Sequence, residues 1–139
     1  MYWSYGLEQG VNNLEVYVMA EISSNVVLAG KFVKIFDGFS IGSNDLTQLM
    51  LRIDRDSAII SNLFSEQNEA VKEMIANMIT KAKKAGVRIG LCGQGLSDFP
   101  EFAKFLVEQG TDSISFNPEA LLKGIENINQ AELHLKVKT

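Results

Sequence analysis

Two acidic residues and one thiol are the groups in this chain best suited to chemistry. Glu21 closes the apolar run Val16-Tyr17-Val18-Met19-Ala20. Asp45 lies within Gly42-Ser43-Asn44-Asp45-Leu46-Thr47-Gln48, and Cys92 within Leu91-Cys92-Gly93-Gln94-Gly95. Two carboxylates at neighbouring strand ends can share one hard cation. Mg2+ suits such a pair, because it keeps several waters and takes further oxygens from a ligand. A thiol beside that site could act as a general acid. Each residue also has a plainer reading. Asp45-Leu46-Thr47-Gln48 is a helix capping box as well, Glu21 could be a surface residue at a strand exit, and a lone cysteine after a buried strand is often an inert small hydrophobe. Gly90, Gly93 and Gly95 favour close backbone approach to a ligand, yet the segment is neither a Walker loop nor a dinucleotide fingerprint. His134, the only histidine, lies in a polar C-terminal stretch and reads as solvated. That disfavours a metal trio containing histidine and a Ser-His-Asp or Cys-His hydrolase.

A strand–turn–helix rhythm repeated four times would position these groups. Apolar, partly β-branched runs at 16–20, 39–41, 87–91 and 113–116 suit buried parallel strands. Ser23, Ser24 and Asn25 offer caps for a helix over 26–36, closed by Gly38. A short helix is expected over 45–53, followed by a charged loop at 52–57. The clearest helix covers 67–85, where Ala70, Val71, Met74, Ile75, Met78, Ile79 and Ala82 recur at helical spacing. Lys81, Lys83 and Lys84 load its last turn and Gly86 stops it. Asp98 with Glu101 opens the next helix, with Pro100 in its first turn and Gly110 at its end. Asn117 caps a last helix from Pro118, and residues 129–139 read as a ragged polar tail after a domain over 1–128. Alternating strands and helices mean an α/β fold with a parallel sheet and right-handed crossovers. Four units are half of a (β/α)8 barrel, which takes about 250 residues. Glu21, Ser43-Asn44-Asp45, Cys92 and Asn117 each fall at the C-terminal end of a strand, where such folds build sites.

Bulk properties narrow the function. The 139 residues suffice for one domain with a core, and 46% hydrophobic with 22% charged residues is ordinary for a soluble protein. A net charge of -4 leaves no basic footprint for nucleic acid. The apolar runs are too short to span a bilayer, and Met1 to Gly6 lack the regions of a signal peptide. One cysteine forms no internal disulfide, so a reducing, cytoplasmic setting is expected.

Val16-Tyr17-Val18-Met19-Ala20-Glu21-Ile22 with Ser24-Asn25, then Phe36-Asp37-Gly38-Phe39-Ser40-Ile41-Gly42-Ser43-Asn44-Asp45-Leu46-Thr47-Gln48-Leu49, resemble the phosphoenolpyruvate synthase (pyruvate, water dikinase) family. So do Asp54-Arg55-Asp56-Ser57, Cys92-Gly93-Gln94-Gly95 with Ser97-Asp98 and Pro100, and Gly110-Thr111-Asp112-Ser113-Ile114-Ser115-Phe116-Asn117-Pro118. The likeness runs from Gly6 to about Ile128. It implies a phosphotransferase that makes phosphoenolpyruvate from pyruvate, ATP and water through a phosphohistidine on a swivelling domain. The chain then resembles strands five to eight of the C-terminal phosphoenolpyruvate/pyruvate-binding barrel. By the same resemblance Glu21 and Asp45 match Mg2+ ligands, and Ser43, Asn44 and Gly93 match substrate-contacting positions. Cys92 matches the residue exchanging a proton at the methyl carbon of pyruvate. Mg2+ would polarise the carbonyl and stabilise the enolate oxygen.

The family's ATP-binding domain, phosphorylatable histidine and first half-barrel have no counterpart in these 139 residues. Arg52, Arg55 and Arg88 lie outside its arginine sites. Ser23 and Leu96 stand where the family has proline, Arg52 and Ala58 where glycine is common, and Phe99 replaces a polar or ring residue. The chain is therefore expected to be incompetent for full turnover alone, requiring the remaining domains of a parent enzyme or a partner chain. A piece of a longer enzyme and a separate short gene product both fit. The alternative is a non-catalytic module that binds Mg2+ and a small carboxylate, or only a partner protein. A half-barrel also leaves its inner face and both sheet edges bare, so a homodimer or another association covering that face is expected.

Overall fold

The computed structural model describes residues 5–54, 63–93 and 99–138. The expected loop at Arg55-Asp56-Ser57, the capping residue Asp98, and Gln94, Gly95, Leu96, Ser97 and Ala58 lie outside them. Four parallel strands form one sheet in sequence order: β1 (Tyr17–Ala20), β2 (Gly38–Gly42), β3 (Arg88–Cys92) and β4 (Ser113–Ser115). Helices α1 (Ser23–Val27), α2 (Ala29–Phe32), α3 (Ser43–Leu51), α4 (Glu69–Ala85), α5 (Pro100–Gln109) and α6 (Leu121–Lys138) connect and follow them. Right-handed crossovers taken repeatedly in one direction put every helix on the same side of the sheet. That is the arrangement of a barrel wall, and the fold is a parallel (β/α)4 half of a TIM-type barrel.

The core lies between the sheet and this helical layer. Phe39, Ile41, Ile89 and Leu91 point from β2 and β3 into it, and Val71, Ile75, Met78, Ile79 and Ala82 meet them from α4. Leu46 of α3, with Phe102 and Leu106 of α5, completes it. Asn68 caps α4 by accepting from the Ala70 N–H at 3.0 Å, and Gly86 ends that helix at φ 72.

The opposite face carries Tyr17 and Met19 on β1 and mainly small or polar side chains on the other strands. Gly38, Ser40 and Gly42 of β2 alternate with the core residues, as do Gly90 and Cys92 of β3 and Ser113 and Ser115 of β4. The Tyr17 ring occupies the space that a Cβ on Gly38 would need, and the Ser113 hydroxyl does the same over Gly90. Partial burial, with Glu15 accepting from its hydroxyl at 3.0 Å, raises the Tyr17 phenol above its ordinary pKa.

Three local expectations are corrected. The helix expected over 26–36 is two short helices broken at Leu28 (φ -97, ψ 15). Val26, Val27 and Gly30 are weak helix formers, which favours the break. Gly38 is the first residue of β2 rather than a helix stop. The segment read as a ragged tail from 129 continues α6 as far as Lys138, packed on α5. Two aspartates tie the N-terminal edge of the sheet. Asp37 accepts from the Val16 N–H at 2.7 Å, and Asp112 from the Ile89 N–H at 2.8 Å.

Candidate functional site

A cavity of about 370 Å³ opens at the C-terminal edge of the sheet, lined by Met19, Glu21, Gly42, Asn44, Asp45, Cys92, Gly93, Ser115, Phe116 and Asn117. The ends of all four strands and the segment after β4 supply these residues. Among the positions singled out from sequence, Glu21, Asn44, Asp45, Cys92, Gly93 and Asn117 meet here.

Glu21 leaves β1 directly after buried Ala20. The Asn25 side chain reaches back from α1 and accepts from the backbone N–H groups of Glu21 (3.3 Å) and Ile22 (3.2 Å), fixing the turn from which Glu21 projects. Its side chain then lies over Gly42, where a Cβ would stand 2.8 Å from Glu21 Cγ and 3.0 Å from Oε1. The capping reading of Asp45 does not hold. Helix α3 starts at Ser43 with Gly42 in the capping position, and Asp45 sits inside the first turn. There the helix dipole favours a negative charge, and the carboxylate borders the cavity.

Cys92 is half-buried and faces the cavity rather than the core. Its Sγ donates to the Ile41 carbonyl at 3.5 Å and lies 3.8 Å from Ser40 Oγ. Ser43 is placed differently from its neighbours. It is fully buried behind the cavity, where its hydroxyl hydrogen-bonds the Glu66 carboxylate and lies 3.3 Å from the Cys92 carbonyl. His134 is exposed on α6, its Nδ1 3.1 Å from the Gln130 carbonyl, away from these groups.

Sequence reasoning missed Met19, Ser115 and Phe116, although Met19 and Ser115 are legible as period-two neighbours of Glu21 and Ser113. It also missed Glu66, which no pattern marks, since an acidic residue just before the Asn68 cap looks like an ordinary helix approach. The donors fit a hard cation. Glu21, Asp45 and the Asn44 amide offer oxygen donors, and Mg2+ needs only one or two carboxylates beside waters and ligand oxygens. Among the described residues no group of three or more His, Cys, Asp and Glu side chains could hold a metal, so a cage built wholly from such groups is not formed.

Residues 6–133 match the PEP-utilising enzyme, PEP-binding domain family. The chain belongs to that family. It is 59% identical over 133 residues to phosphoenolpyruvate synthase of Aquifex aeolicus, covering 96% of this chain and 16% of that protein. It is 52% identical over 118 residues to phosphoenolpyruvate synthase of Escherichia coli, covering 85% and 15%. The chain thus spans about one sixth of the curated relatives it matches. Its backbone is similar to the crystal structure of an HpcH/Hpal aldolase/citrate lyase family protein from Burkholderia cenocepacia J2315, with a TM-score of 0.60 at 17% identity. The match covers 88% of this chain and 43% of the other, which suits half of an eight-unit barrel. No helix among the described residues is long and apolar enough to cross a membrane.

Proposed function

We propose that this chain is the metal-binding and proton-transferring half of a pyruvate/phosphoenolpyruvate site, serving the formation of phosphoenolpyruvate from pyruvate together with the domains of a larger phosphotransferase. The observation that carries the reading is the meeting of Glu21, Asn44, Asp45 and Cys92 around one cavity. Glu21 and Asp45 would hold Mg2+, which when bound supplies positive charge to the oxygen of the three-carbon substrate. The Asn44 amide orients that substrate, and Gly93 leaves the backbone open to it. Cys92 takes or returns a proton at the methyl carbon, at the far end of the same unit from the oxygen that receives the phosphoryl group. Ser43, from its buried place, supports this wall rather than touching the ligand. A cytoplasmic setting suits these substrates and the single thiol.

The test is methyl-proton exchange of pyruvate in heavy water with Mg2+, followed by NMR, with Cys92→Ala as the comparison. Exchange that depends on both Mg2+ and Cys92 supports enolisation at this site. Tight Mg2+-dependent oxalate binding without exchange would instead support a non-catalytic carboxylate-binding module. We further propose that, where no other half-barrel covers the inner sheet face, a homodimer does so, since Tyr17 and Met19 stay 37% and 41% exposed there. Light scattering showing a monomer at micromolar concentration would refute that.

A further inference from the structure

Glu66 is a carboxylate shut away behind the cavity, only 4% exposed. Burying such a group is costly unless its oxygens are hydrogen-bonded. Its Oε1 accepts from the hydroxyl of Ser43, itself fully buried, and that hydroxyl also lies 3.3 Å from the Cys92 carbonyl. Gly93 closes the group. A Cβ there would overlap Ser43 Oγ and stand 2.9 Å from Glu66 Oε1. Three segments distant in sequence therefore meet at one point: the start of α3, the approach to α4 and the exit of β3. Asn44 and Asp45 follow Ser43 directly, and Cys92 directly precedes Gly93. Whatever holds this point sets the spacing between the oxygen ligands and the thiol.

We infer that Glu66 is a positioning residue, holding the Asn44–Asp45 wall of the cavity in register with Cys92 through Ser43 and Gly93. It does not line the cavity and reaches it through these neighbours. The inference deepens the proposed function and rests on that reading for its catalytic consequence. Its geometric core does not depend on metal or substrate.

Because the chain has a single cysteine, alkylation by iodoacetamide reports on Cys92 alone. The full chain is compared with Glu66→Ala, Glu66→Gln, Ser43→Ala and the core control Ile79→Val, with folding checked by circular dichroism. Glu66→Ala and Ser43→Ala should change the alkylation rate by about fivefold or more, the factor that corresponds to one ordinary hydrogen bond. Glu66→Gln, which keeps an acceptor for the Ser43 hydroxyl, should stay within about twofold of the parent, as should Ile79→Val. If Glu66→Ala does not fold, Ser43→Ala carries the same expectation. Rates within twofold for every folded variant, or an equal change in Ile79→Val, would overturn the inference. A separate arm adds Mg2+ and oxalate to the unaltered chain. Failure of that mixture to protect Cys92 would count against the proposed function while leaving the Glu66 comparison intact.

Discussion

Gly42→Ala should separate the fold from the metal site. Gly42 has φ -88 and ψ 90, a conformation open to alanine, so the backbone itself is not strained. The new Cβ instead meets one side chain, 2.8 Å from Glu21 Cγ and 3.0 Å from Oε1. Glu21 is only half-buried and can swing aside. Pushing it off its rotamer costs about 0.5–1.5 kcal/mol. The smaller unfolded-state entropy of alanine returns about 0.4–1 kcal/mol, so stability should change by less than about 1 kcal/mol. The carboxylate, however, is displaced from the cavity. Disturbing the support of a ligand typically weakens metal affinity about 10–100-fold. Calorimetric titration of Mg2+ in the presence of oxalate measures that loss, and urea unfolding measures stability. In a Glu21→Ala background the Gly42 substitution should have no further effect on affinity. Unchanged Mg2+ affinity in Gly42→Ala would refute the placement of Glu21 as a ligand held over Gly42. A stability loss above about 2 kcal/mol would show that the strain falls elsewhere than on this side chain.

Arg52 ends α3 at φ 54 and ψ 39, a left-handed conformation that costs a non-glycine residue about 1–2 kcal/mol. Arg52→Gly should therefore raise stability by about 0.5–1 kcal/mol after the entropy of glycine is deducted, read as a higher urea midpoint. Ser23→Pro should stabilise by about 0.4–1 kcal/mol, because Ser23 opens α1 and Ile22 before it already has φ -126 and ψ 152, as a residue preceding proline requires. A loss of stability in that variant would place the Ile22–Ser23 turn elsewhere. Asp112→Ala should cost about 1–2 kcal/mol by freeing the Ile89 N–H. It should leave Cys92 alkylation unchanged, since Asp112 acts at the opposite end of β3.

The legible parts of this molecule were those set by local pattern. The apolar spacing from Val71 to Ala82 marks α4, and the position of Glu21, Asp45 and Cys92 after apolar runs places them on one edge. The proline and glycine that Ser23 and Arg52 replace also make structural sense, since one position opens a helix and the other is a left-handed cap. What was hidden depends on partners far apart in sequence. Nothing near Glu66 announces that it will meet Ser43 and Gly93, and nothing near Gly38 announces the Tyr17 ring. The capping box at Asp45 misled because Ser43, two residues earlier, could begin the helix with its side chain buried. The continuation of α6 past 129 was missed because its polar residues face solvent, while Ala131 and the half-buried Leu135 are the inward positions that remain.

The uncovered face of the sheet explains why the site is only half built. Gly38, Ser40, Gly42, Gly90, Ser113 and Ser115 are too small to fill the inside of a barrel, so they leave room for side chains arriving from the other side. The cavity at their C-terminal edge carries the same asymmetry. Among the described residues its lining includes the carboxylates of Glu21 and Asp45 but no lysine or arginine. A phosphorylated or carboxylated three-carbon ligand is anionic, and two carboxylates repel it unless cations intervene. A metal held by Glu21 and Asp45 offsets part of that repulsion. On the proposed function, further positive charge would come from across the uncovered face, from the other half-barrel of a parent enzyme or from an associated chain. The proposed function thus assigns the oxygen-ligand and proton-transfer side to this chain, and the anion-binding side to whatever closes the barrel over it.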